Sequence, residues 1–106
     1  MNTDTVPTVP EIILQQLSGG RSGRLVAMIG AHSFNAGDRT LTFKYKARAR
    51  NGSNCCRIRL DATDTYEDEF LSVRSGQVRP KSQHDGIYAD MLTGLFERET
   101  GLYLRL

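Results

Sequence analysis

The sequence predicts an α+β fold: an antiparallel meander of four to five strands, with a short N-terminal helix and a C-terminal helix packed on one face. Three observations carry this. Residues 40–50 alternate between apolar and polar at the period of a strand. Short β-rich runs are separated by turns built from Asn, Asp and Gly. Ile87, Tyr88, Met91, Leu92, Leu95 and Phe96 recur at helical spacing. With 106 residues, 39% of them hydrophobic and 25% charged, the chain can bury one core and is too apolar for general disorder. It divides into a disordered polar tail, residues 1–7, and a single domain, residues 8–106.

Thr8-Val9-Pro10-Glu11 fits a capping box, in which the Thr8 hydroxyl and the Glu11 carboxylate each satisfy the other's backbone N–H. Ile12, Ile13 and Leu17 supply an apolar side and Gly19 a C-terminal stop, so a helix is expected at about residues 9–18. Gly19-Gly20-Arg21-Ser22-Gly23 lacks the Walker spacing and reads as a connector. Leu25-Val26-Ala27-Met28-Ile29 is continuously apolar and short, as in a strand covered on both faces. Asn35-Ala36-Gly37-Asp38 is a turn. In residues 40–50, Leu41, Phe43, Tyr45, Ala47 and Ala49 face inward and the polar residues outward. Asn51-Gly52-Ser53-Asn54 closes a hairpin, and Cys56, Ile58 and Leu60 return inward.

After a turn at Ala62-Thr63-Asp64, Thr65 to Val73 adds a third strand with Tyr66 and Phe70 inward. Residues 74–86 carry little pattern; Val78 fits an edge strand, where Pro80 is tolerated. Asp85 is a candidate N-cap for the final helix and Gly101 its left-handed C-terminal cap, and LYLRL alternates like a short strand.

Every second residue from Lys44 to Arg50 is a cation: Lys44, Lys46, Arg48 and Arg50. A loop at residues 51–54 would pair Ala49 with Cys56, setting Arg48 opposite Arg57 and Lys46 opposite Arg59. Such like-charge pairs cost a few tenths of a kcal/mol each. If Asp61 faces Thr65, Glu67 meets Arg59 and Glu69 meets Arg57, while Leu60 meets Tyr66 and Cys56 meets Phe70; both faces of the sheet then agree. In that register Asp68 points inward beside Ile58 and must reach the rim or sit on a bulge. The other four cations keep no local partner. They recur every ~7 Å along a strand, close to the phosphate spacing of a nucleic-acid strand. The same row fits a solvated face or a guard against edge-to-edge aggregation. Phe43, Tyr45, Tyr66 and Phe70 fall on the inner parity, which favours backbone contact over base stacking.

No enzymatic chemistry is expected. His32 and His84 are the only histidines, and nothing in their spacing unites them as an acid–base pair. The only cysteines, Cys55 and Cys56, are adjacent and point to opposite faces of a strand. They read as free thiols, not as metal ligands or a disulfide. The acidic run from Asp61 to Glu69 lacks a calcium-loop spacing. No cofactor or metal is implied. Net charge is only +2, so any polyanion preference must come from its distribution. There is no signal-peptide pattern and no apolar run near the ~20 residues of a membrane span, and a cytoplasmic protein is expected.

Three stretches carry a resemblance: Arg24 to Ala31 through Phe34; Leu41-Thr42-Phe43-Lys44 with Ile58, Leu60, Asp64, Tyr66 and Phe70; and Gly86 to Leu92 through Glu99-Thr100-Gly101-Leu102-Tyr103. Together, over residues 20–106, they resemble a group of small uncharacterised proteins of bacteriophages and other mobile genetic elements. The cations at Lys46, Arg48 and Arg50 and the Cys-Cys pair depart from that group. The resemblance implies a bacterial host's cytoplasm and an accessory role. Lys44, Lys46, Arg48, Arg50, Arg57 and Arg59 are then the expected contact residues of a non-enzymatic module that binds nucleic acid or a nucleoprotein. The alternative is an anti-CRISPR-like inhibitor that binds a host defence complex; a homodimer through an open sheet edge would instead suit a structural role.

Overall fold

The structure, a computed structural model, describes residues 8–18 and 22–104. The expected tail at residues 1–7, the stop at Gly19 and the end of the last expected strand lie outside them. Helices α1 (Val9–Ser18) and α2 (Ser22–Ile29) precede strands β1 (Ala31–Ala36), β2 (Thr40–Tyr45), β3 (Cys55–Leu60), β4 (Tyr66–Arg74) and β5 (Gln77–Ile87). A 3-10 turn (Ala89–Met91) and helix α3 (Leu92–Thr100) follow. The strands form one antiparallel sheet in the order β1-β2-β3-β4-β5, the expected meander. Among the described residues no helix is long and apolar enough to cross a membrane.

The capping box forms: Thr8 N donates to Glu11 Oε1 at 2.8 Å, and Glu11 N to Thr8 Oγ1 at 3.4 Å. Gly101 closes α3 in the left-handed region (φ 72°), its N–H donating to Glu97 O. Phe43 from β2, Phe70 from β4 and Phe96 from α3 are fully buried, with ring centroids of Phe96 6.1 Å and 6.0 Å from the other two. Each such ring contributes roughly 2–3 kcal/mol of burial, and together they fix the helices on one face of the sheet.

Four expectations fail. Leu25–Ile29 is helical, not a strand: Leu25 and Ile29 are buried while Val26, one position on, is 51% exposed. Five apolar residues in a row hide a 3.6-residue period, and run length alone does not separate the two readings. The sheet instead takes Ala31–Ala36 as its first strand, which includes Asn35 and Ala36 from the expected turn; residues 31–34 carry no strand pattern. The final helix starts later than Asp85; Ile87 ends β5 and no side chain caps α3. Residues 101–103 form no strand, although Leu104 is fully buried.

The fourth failure concerns the hairpin. β2 ends at Tyr45, and β2 pairs with β3 as Lys44↔Cys55, Phe43↔Cys56 and Leu41↔Ile58. The connection is therefore nine residues, 46–54, instead of four. Strand parity survives, because the slip is even, but Arg48 and Arg50 never reach the pleated face. Arg57 faces Thr42 and Arg59 faces Thr40, so the like-charge pairs do not arise. The β3–β4 register, by contrast, is the expected one in every pair from Cys56↔Phe70 to Leu60↔Tyr66.

Candidate functional site

The connection between β2 and β3 is tied down along its length. α2 ends in Gly30 (φ +68°), and a Cβ there would stand 3.0 Å from Lys46 Cβ. Lys46 N donates to Ile29 O and Gly30 O at 3.2 Å, and Ala47 N to Ile29 O at 3.1 Å, satisfying carbonyls at the C-terminus of α2. Arg50 does the same for α3: its backbone N donates to Thr100 O and its guanidinium to Arg98 O, both at 2.7 Å. Asn51 Oδ1 accepts from Ser53 N, an Asx turn, and the Ser53 hydroxyl meets that of Tyr45. Asn54 then pairs with β4 as a strand residue would: its side chain donates to Val73 O and accepts from Val73 N, at 2.9 and 2.8 Å.

On the other side of this loop stands the β4–β5 hairpin. Ser75 (φ 52°) and Gly76 (φ 78°) form its tight two-residue turn. The pairing shifts between Phe70 and Leu71, opposite Pro80–Ser82. The shift brings Arg79, the partner of Ser72, onto the helix-side face with Ser82.

Two open clefts result. The first, ≈ 390 Å³, is lined by the loop from Lys46 to Ala49 together with His32, Ser53 and Arg74. The second, ≈ 370 Å³, is lined by Ser72, Gln77, Arg79 and Lys81. Gly52 and Arg74 line both. Among the described residues neither cleft has a carboxylate in its wall, and none pairs with Lys46, Arg48, Arg74, Arg79 or Lys81. The acidic turns lie at the opposite end of the sheet. Asp38 belongs to the β1–β2 turn, Asp61 and Asp64 to the β3–β4 turn, and Asp85 sits near the end of β5. Charge is thus segregated along the strands, which a net charge of +2 conceals.

The six expected contact residues separate. Lys46 and Arg48 line the first cleft. Arg50 is spent on α3 as a cap. Arg57 and Arg59 are paired with Glu69 and Glu67 at 3.0 and 2.9 Å, on the outer face. Lys44, also outward, is half-buried across from Cys55 and lines neither cleft. Arg74, Arg79 and Lys81 were missed. They lie in the stretch with least pattern, and the only signal for them was a run of cations around Pro80.

A second polar cluster lies under α3, buried at Cys56 and Asp68 and half-buried at Ser82, His84 and Glu99. Asp68 points inward beside Ile58 and is fully buried, without reaching the rim; its pairing with β3 is regular, and the β4–β5 register shifts between Tyr66 and Asp68. Cys56 Sγ donates to its Oδ1 at 3.1 Å, and its Oδ2 has no partner. Burial, with the Glu99 and Glu69 charges behind it, raises this carboxyl to about 7 against the pull of the Cys56 hydrogen bond. The Cys56 thiol is itself pushed well up by burial and by Asp68. Ser82 Oγ donates to Glu99 Oε1 at 2.6 Å, holding that carboxylate below its usual range with help from His84. His84 Nε2 lies 3.4 Å from the same oxygen, near enough for attraction but off line for a hydrogen bond. This cluster has no opening among the clefts described above. His32 lines the first cleft and His84 neither, so neither of these two clefts unites the histidines. Among the described residues no three His, Cys, Asp or Glu side chains are placed to hold a metal. No family model, curated protein or solved structure matches this chain.

Proposed function

We propose that the protein is a non-enzymatic module that binds nucleic acid through its phosphate backbone, using the paired clefts at the cationic end of the sheet. One observation carries this reading: five cations from two hairpins, Lys46, Arg48, Arg74, Arg79 and Lys81, converge on adjoining clefts with no carboxylate among the described residues of their walls. A face that only kept the protein soluble would gain nothing from concentrating one sign of charge in a concavity. A polyanion gains there, because each phosphate neutralised releases condensed counterions. The contacts are to backbone, so they position the ligand without reading its sequence.

The test is a salt titration of binding to a labelled oligonucleotide. Five contacts give a slope of log K against log salt of about −3.5 for a single strand and about −4.5 for a duplex. Lys46→Glu/Arg48→Glu should flatten that slope and weaken binding at low salt by about a hundredfold or more. Arg57→Glu, on the outer face, should do neither. Absence of binding at low salt, or equal loss with all variants, refutes the assignment.

A further inference from the structure

Resting on that reading, we infer that the ligand is a single-stranded nucleic acid, held by consecutive phosphates across both clefts with its bases turned away from the protein. The first reason is shape. A β-ribbon that reads a duplex must protrude into its groove, whereas the 46–54 loop is bonded to α2 at Lys46 and Ala47, to α3 at Arg50 and to β4 at Asn54. It forms a wall instead of a prong. The cations line hollows of ≈ 390 and 370 Å³, near the small end of ligand pockets, ≈ 300–1,000 Å³. A flexible strand can lower its phosphates into such hollows; a rigid duplex holds its phosphates on a convex surface.

The second reason is continuity. The two clefts share Gly52 and Arg74. Gly52 brings only backbone to the divide, in a left-handed conformation (φ +80°) that it adopts without strain, and Arg74 reaches both sides. One strand can therefore pass from cleft to cleft with Arg74 between successive phosphates. The third reason is the lack of a stacking surface. Tyr45 is the only aromatic ring of Phe, Tyr or Trp type in either wall; it is 2% exposed, and its hydroxyl is engaged by Ser53. The exposed rings of Tyr88 and Tyr103 line neither cleft. Beyond the half-buried His32 imidazole the walls offer bases no aromatic ring to stack on, in contrast to most single-strand binders.

Fluorescence anisotropy at low salt would compare labelled oligothymidylate, oligoadenylate and a duplex of equal length, with folding of each variant verified by far-UV circular dichroism. The two single strands should bind within about threefold of each other and at least about tenfold more tightly than the duplex. Arg48→Ala, in the first cleft, and Arg79→Ala, in the second, should each weaken the same oligonucleotide by about three- to tenfold. A duplex bound as tightly as the single strands, or a loss confined to one of the two variants, overturns this inference while leaving nucleic-acid binding intact. No binding of any of the three ligands overturns both.

Discussion

Asp68 makes the folded state sensitive to pH in a direction opposite to most carboxylates. It lies across from Ile58 in the middle of the sheet, with one oxygen bonded to the Cys56 thiol and the other unpartnered. Burial raises its carboxyl from 3.8 to about 7. Between those values the folded chain keeps a proton that the unfolded chain has released, so stability must fall as pH rises through that window. The ceiling, at 1.36 kcal/mol per pH unit, is roughly 4 kcal/mol, a large share of the 5–15 kcal/mol typical of a domain. The depressed Glu99 acts below its ordinary 4.5, and the raised Cys56 above its ordinary 9.0, so neither adds slope between them. Urea denaturation from about pH 5 to pH 8 should show the wild type losing roughly 2–3 kcal/mol. Asp68→Asn keeps the shape, keeps an acceptor for Cys56 and cannot ionise. It should nearly abolish the slope and exceed the wild type in stability at pH 8. A wild-type curve that is flat or rising over that range, or an Asn variant with the same slope, refutes the buried neutral acid.

Other perturbations separate scaffold from site. Gly30→Ala forces a side chain into a positive φ and against Lys46, and should cost about 1–2 kcal/mol in urea denaturation; an unchanged midpoint would deny that the loop is pinned there. Arg50→Ala removes the cap on α3, with an expected loss of about 1 kcal/mol and no change in the salt slope of oligonucleotide binding. A double-mutant cycle on Arg57 and Glu69 should return no more than about 1 kcal/mol, since Arg57 is half exposed, and Arg57→Ala should leave oligonucleotide affinity within about twofold.

What could be read from sequence was whatever strand parity governs. Parity placed Phe43, Tyr45, Tyr66 and Phe70 inside, paired Glu67 and Glu69 with Arg59 and Arg57, and marked Asp68 as an anomaly. It could not say where β2 stops. Ala47 and Ala49 alternate with cations as strand residues do, but the backbone beyond Tyr45 finds more partners elsewhere, at the C-termini of α2 and α3. Those ends are remote in sequence, and one of them belonged to a segment read as a strand. The cleft escaped for a related reason. Arg74 and Arg79 join Lys46 only through a hairpin turn and a register shift, and neither leaves a periodic trace.

The same bonds explain how such a cationic end is tolerated. Two unit charges about 8 Å apart in water repel by about 0.5 kcal/mol, and several such pairs would splay a nine-residue loop in which no described carboxylate pairs with Lys46 or Arg48. The C-termini of α2 and α3, each carrying a partial negative charge, meet that loop at Lys46 and at Arg50. A cation at a helix C-terminus gains 0.3–1 kcal/mol, comparable to one repulsive pair. Two helix ends therefore hold the loop in place without neutralising it, because a carbonyl accepts hydrogen bonds but removes no charge from the cleft. Had carboxylates done the holding, as Glu67 and Glu69 do for Arg59 and Arg57 on the outer face, the loop would be equally fixed and the cleft would have no field left for a phosphate. Backbone capping on one face and ion pairing on the other thus distinguish the unpaired cations of the clefts from the paired cations of the outer face.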